Sequence, residues 1–187
     1  MLALSSPALS QTLHKLSPNN PLTIESGQTI VIFYFDIEVP RASLSIRETT
    51  DNGKSLRGII YQQLEEEIGN LENGFYWFST EPGTFEIDRI EAPYFNLPNA
   101  VTIKDRPNML FRAYDGVINY GGHFFIRADR SVRQVNVSLQ NRYASSYRFL
   151  SELIPDGHRQ IPIVSSLGLR DDFFIPRELD TELGDDK

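Results

Sequence analysis

Four aromatic residues stand in unbroken succession, Phe75-Tyr76-Trp77-Phe78, shortly before a Glu81-Pro82-Gly83 corner and the alternating run Thr84-Phe85-Glu86-Ile87-Asp88. An extended strand sends alternate side chains to opposite faces. Residues 75–80 therefore read as a strand with Phe75 and Trp77 on one face and Tyr76 and Phe78 on the other. Rings on both faces need cover on both faces. One pair enters a core, and the other meets a second layer or a ligand, so the four cannot all line one site. Pro82 fixes φ and Gly83 tolerates positive φ, so 84–90 is expected to fold back on 75–80 as a hairpin.

A second segment makes the same demand. Residues 29–39, Thr-Ile-Val-Ile-Phe-Tyr-Phe-Asp-Ile-Glu-Val, are rich in β-branched and aromatic side chains and bounded by Gly27 and Pro40. Both faces are apolar, which predicts a central strand. Residues 41–48 alternate, with Ala42, Leu44 and Ile46 toward the core and Ser43, Ser45 and Arg47 toward water. After a turn at Asp51-Asn52-Gly53, Ile60, Leu64 and Ile68 are spaced for a short helix capped by Gly69, with a hairpin arm as the competing reading.

The three prolines of 91–110 suggest short connecting strands near a sheet edge. Val117–Arg127 and Val132–Leu139 read as a hairpin turning near Asp129-Arg130-Ser131, and the two glycines of Tyr120-Gly121-Gly122-His123 mark a bulge or a close backbone approach. The period then changes. Tyr143, Tyr147, Leu150 and Ile154 form a helical stripe that Pro155-Asp156-Gly157 ends. Many short strands with one or two short helices predict a mainly β fold, an antiparallel β-sandwich.

A chain of 187 residues with 40% hydrophobic and 23% charged content has the length and composition of one folded domain. Residues 1–22 are expected as a flexible N-terminal extension, 23–158 as the sandwich and 159–187 as an acidic C-terminal arm. The opening Met-Leu-Ala-Leu-Ser-Ser-Pro-Ala-Leu-Ser-Gln has the small and apolar character of a signal-peptide remnant, without a charged n-region. No run of about 18 apolar residues occurs, so no helical membrane span is expected.

Net charge is −7; seven carboxylates against Arg177 and Lys187 in residues 171–187 supply five of those charges. The remainder is nearly balanced, and a nucleic-acid partner would lack the electrostatic term on which its binding depends. The absence of cysteine excludes disulfides, thiolate nucleophiles and Cys-ligated metals.

The residues from 42 to 87, with Gly69, Leu71, Asn73, Gly74, Tyr76, Pro82 and Gly83 at matching positions, resemble small bacterial envelope domains, many of them lipoproteins. The later Gly116–Ile126 and the helix 143–153 are similar to their second half, so the resemblance covers about residues 30–155. More distantly, the Pro-Gly corner resembles transthyretin-like and carboxypeptidase-regulatory-like sandwiches. What the resemblance implies is an extracytoplasmic, non-catalytic domain, periplasmic or secreted. The lipoprotein pattern's lipidated cysteine is missing here.

Catalytic signals are sparse. His14, His123 and His158 lack local metal-ligand spacing, and His123 reads as a half-exposed strand histidine rather than a general base. No Gly-x-Ser-x-Gly nucleophile elbow or phosphate-binding glycine loop occurs. Glu65-Glu66-Glu67 reads as a solvated helix face, and Arg127, Arg130 and Arg133 as a solvated hairpin tip. Asn136-Val137-Ser138 is a glycosylation sequon by chance, inside a strand. The expectation is a binding module with no cofactor, no metal and no catalytic residue. Its candidate contacts are Tyr76, Trp77, Phe78 and Tyr94, with Phe173, Phe174 and Ile175 as a partner-seeking arm. A protein partner in the cell envelope is the first reading. A carbohydrate stacked on Trp77 or Tyr76 is the second, and a hydrolase with an unrecognised carboxylate pair the third.

Overall fold

The computed structural model describes residues 13–17, 19–24, 26–38, 42–49, 73–91, 100–102, 109–129 and 134–171. In chain order these form β1 (His14–Lys15), β2 (Thr29–Ile37), β3 (Ser43–Thr49), β4 (Gly74–Thr80), β5 (Gly83–Glu91), β6 (Ala100–Thr102), β7 (Leu110–Ala113), β8 (Ile118–Asp129), β9 (Gln134–Gln140), α1 (Tyr143–Leu153) and β10 (Ile163–Ser165). The helix expected around Ile60–Gly69 lies outside the described residues.

The strands make two sheets. The larger runs β1-β4-β2-β8, and the far edge of β8 is shared, with β10 beside Ile118–Tyr120 and β9 beside His123–Asp129. The smaller is built on β5, with β3 along one edge and β7 and β6 along the other. A mainly β sandwich is thus observed. The larger sheet is mixed rather than purely antiparallel, because β2 and β10 both run parallel to β8.

The expected hairpin between 75–80 and 84–90 does not form. β4 pairs with β1 and β2, whereas β5 pairs with β3, β6 and β7, so the Glu81-Pro82 corner carries the chain from one sheet to the other. The reason is burial: Tyr76 and Phe78 on β4 and Phe85 and Ile87 on β5 enter the same inter-sheet core from opposite sides. A flat hairpin could not face those four side chains toward one another.

The central position of β2 follows its sequence. Val31, Phe33 and Phe35 enter the inter-sheet core, while Ile30 and Ile32 enter a second apolar cluster on the other side of the same sheet. The second cluster holds Phe75 and Trp77 of β4, Ile118 and Tyr120 of β8, Leu150 and Ile154 of the helix region, and Leu16 and Leu22 from the N-terminal segment. The molecule therefore has a third layer. The alternation of rings along β4 is as the sequence requires, and the cover over Phe75 and Trp77 is protein.

That layer changes two expected boundaries. Residues 13–22, read as extension, include an edge strand in which His14 pairs with Trp77 and Lys15 with Tyr76, and Leu13, Leu16 and Leu22 are buried. Residues 159–171, read as arm, include β10 and the buried Ser166 and Leu167. On the smaller sheet Ser45 is buried where water was expected; Glu86 is buried as well and accepts hydrogen bonds from Arg47. A buried carboxylate is tolerated only with such a partner.

The bulge in β8 sets which residues reach the surface. Ile32 pairs with Tyr120 but Phe33 pairs with Gly122, leaving Gly121 unmatched. Alternation slips by one residue there: Ile118 and Tyr120 face the helix layer, and Phe124 and Ile126 face the inter-sheet core. Both glycines are required. A Cβ on Gly121 would lie 2.2 Å from Cε1 of Phe33, and Gly122, at φ +113°, would set one 2.5 Å from Cδ1 of Leu167.

The helix α1 starts where two acceptors meet its free amides. Asn141 Oδ1 accepts from the Tyr143 N–H at 3.2 Å, and the Asp171 carboxylate accepts from the Ala144 N–H at 2.7 Å. A negative charge at this end also complements the helix dipole. Pro155 lies just beyond its last turn. Leu150 is fully buried while Phe149 is 61% exposed, so one stripe of α1 faces the sheet.

Candidate functional site

From the buried Phe75, at the border of the area covered by α1 and the N-terminal segment, a row of rings runs across the outer face of the larger sheet. Phe75 on β4 meets Tyr34 on β2 at a centroid distance of 4.8 Å. Tyr34 meets His123 on β8 at 4.2 Å, its register partner across the parallel ladder. His123 stacks on Phe125 at 4.3 Å with planes 7° apart. Two guanidinium groups close the row, Arg142 at 4.8 Å and Arg127 at 5.5 Å from the Phe125 centroid. The bulge produces this row, because it turns His123, Phe125 and Arg127 outward.

The two arginines are held differently. Arg127 donates to both carboxylate oxygens of Asp36, at 2.8 and 2.6 Å, and lies 3.2 Å from a Glu38 oxygen. Those bonds hold the Asp36 carboxyl below its ordinary range. Arg142 donates to the side-chain oxygen of Gln140 at 3.0 Å and is exposed. A guanidinium lying over a ring and hydrogen-bonded to a neutral amide keeps donors for a further acceptor.

His123 is half-buried. Burial first, and the neighbouring Arg142 charge next, push its pKa from 6.5 down to about 4. It is therefore a neutral, flat, weakly polar ring at ordinary pH. Its Nε2 atom is buried without a hydrogen-bond partner. Among the described residues no three His, Asp or Glu side chains converge as a metal-binding group. The chemistry this face offers is stacking, cation–π contact and charge-assisted hydrogen bonding.

The sequence-chosen residues are placed elsewhere. Tyr76 and Phe78 lie in the inter-sheet core, 6% and 2% exposed, and Trp77 lies under the third layer at 5%. Tyr94, Phe173, Phe174 and Ile175 lie outside the described residues. His14 packs on Trp77, and His158 ends a short 3-10 turn. Of the three predicted arginines at the β8–β9 tip, Arg127 is ion-paired within the chain, and Arg130 and Arg133 lie outside the described residues.

Sequence reasoning missed Tyr34, Phe125 and Arg142. Phe75, His123 and Arg127 of the row were named from sequence, but not as members of one surface. A signal existed for Phe125, since it follows His123 by two residues and shares its face once the bulge is placed. Tyr34 required the parallel β2–β8 pairing, between residues about ninety apart in sequence. Arg142 required the turn from β9 into α1. No helix among the described residues is long and apolar enough to cross a membrane. Comparisons of the chain with protein-family models, curated proteins and solved structures each return no match.

Proposed function

We propose that this chain is a non-catalytic, extracytoplasmic β-sandwich module that binds another protein of the cell envelope through the ring row Tyr34–His123–Phe125 and its capping Arg142. The observation that carries the reading is the composition of that row. Aromatic rings and arginine are the side chains that dominate protein interfaces, because they offer large rigid area with directed donors. The partner's complementary feature is a carboxylate or amide oxygen beside an apolar side chain. The envelope location rests on the resemblance of residues 30–155 to bacterial envelope domains.

Protein recognition is preferred over sugar stacking on a specific ground. A sugar platform needs an open ring face, and Trp77 and Tyr76 are both enclosed by the chain itself. The test is site-specific photocrosslinking in the cells that make the protein, with a photoreactive phenylalanine placed at 34 or 125 and, as control, at 152 on exposed α1. An adduct of one defined mass from 34 and 125, absent from 152 and lost when Arg142→Glu is added, supports the reading. Identical patterns from all three positions sink it.

A further inference from the structure

Among the described residues β9 is the outermost strand on its side of the larger sheet. One edge pairs with β8 in unbroken register from His123–Gln140 to Asp129–Gln134. Among the described residues no strand pairs with its other edge, and the Asn141–Asp171 bridge lies just beyond its last residue. Such edges are normally protected by a lysine, a proline, a bulge or extreme shortness. Gln134-Val135-Asn136-Val137-Ser138-Leu139-Gln140 has seven residues and none of those devices.

The strand is also self-complementary. Val135 and Leu139 are buried, Val137 is half-buried against the inter-sheet core, and Asn136 and Ser138 are exposed. Outward from Val137, both directions give an uncharged polar residue, an aliphatic residue and a glutamine. Two copies laid antiparallel about Val137 would set Asn136 against Ser138, Val135 against Leu139 and Gln134 against Gln140. Apolar meets apolar on the inner face and neutral polar meets neutral polar on the outer face, with no charge opposed to its like.

We propose that β9 pairs antiparallel with β9 of a second copy, centred on Val137, to make one sheet continuous across a two-fold dimer. The contact is isologous and closed, so it satisfies the edge amides and carbonyls without propagating into a filament. The two-fold axis stands perpendicular to the sheet. Both copies' ring rows then face the same side, so a partner with repeated epitopes would meet two sites at once.

The experiment measures mass by light scattering over a dilution series for the full chain and two double variants. The expected wild-type mass is twice the 21.4 kDa of one chain, falling on dilution. Asn136→Lys with Ser138→Lys places like charges opposite each other and should restore the single-chain mass. Asn136→Glu with Ser138→Lys places opposite charges in the same two positions and should return the doubled mass. In both, unchanged Trp77 emission verifies the fold, since that ring lies in the other cluster. Because the chain has no cysteine, Val137→Cys gives a unique thiol that faces only itself across the axis. It should form a covalent dimer on mild oxidation.

A wild type of single-chain mass at every concentration overturns the proposal. So does a doubled mass that the two lysines leave unchanged. Loss of the dimer in both double variants, with no crosslink in Val137→Cys, overturns the Val137-centred register.

Discussion

The imidazole of His14 lies against the indole of Trp77, ring centroids 4.9 Å apart, on residues that are also direct partners in the β1–β4 ladder. The N-terminal segment thus forms part of the cover over the tryptophan, and Leu16 and Leu22 enter the same cluster as Leu150 of α1. Trp77 emission is therefore expected to be blue and protected from acrylamide. Leu16→Ala and Leu150→Ala should each cost about 2–5 kcal/mol and redden the emission before global unfolding. A red, freely quenched wild-type signal would contradict the three-layer arrangement.

Gly121 and Gly122 are expected to be intolerant of alanine for different reasons. Gly121→Ala meets the Phe33 ring, which the inter-sheet core holds in place, and overpacking of this kind costs about 1–3 kcal/mol. Gly122→Ala adds a strained positive φ to contacts with Leu167 and Leu139. Shortening Leu167 to Ala should therefore relieve Gly122→Ala only in part. Urea midpoints of the single and double variants measure this directly. Full rescue would show that the backbone conformation is not a constraint.

His123 gives the protein an acid-side stability slope. Burial and Arg142 depress its folded pKa to about 4 from 6.5, so between those values the unfolded chain binds the proton and the folded chain does not. The contribution is fully present above pH 6.5 and is lost as pH falls toward 4. Asp36, whose folded pKa is lowered by its Arg127 hydrogen bonds, acts in the same sense: its contribution is present above the ordinary carboxylate value and lost below it. The urea midpoint should decline from pH 6.5 to 4 in the wild type and decline less in His123→Phe, which keeps a ring in the stack. Equal slopes in the two proteins would remove His123 as the cause.

Asn119 joins three elements and is fully buried. Its Nδ2 lies 2.9 Å from the Thr29 hydroxyl and 3.1 Å from both the Ile30 and Tyr114 carbonyls, three acceptors around its two N–H groups, while its Oδ1 accepts from the Tyr114 N–H at 2.8 Å. These bonds fix the β7–β8 turn against the start of β2. Asn119→Ala is expected to lose about 1–3 kcal/mol for each buried group left unpaired. Amide hydrogen exchange should localise the loss to Tyr114, whose N–H would become unprotected. A uniform loss across the molecule would argue against a local hub.

Local pattern alone determined a good part of this protein. The two-faced β2, the alternation of rings along β4, the β8–β9 hairpin, the glycine bulge and the α1 stripe with its proline stop are all set by side-chain period and by the backbone limits of Gly and Pro, which act within a few residues. Tertiary structure decided the rest. That β4 and β5 part into different sheets, that β2 lies parallel to β8, that residues 13–22 roof Trp77 and that 163–165 complete the larger sheet all depend on contacts between distant segments. A strand's own period says that both faces must be covered but not by what. The ring row is the consequence: Tyr34, His123, Phe125 and Arg142 come from separate stretches of chain, and they become neighbours only when β2, β8 and the start of α1 pack together.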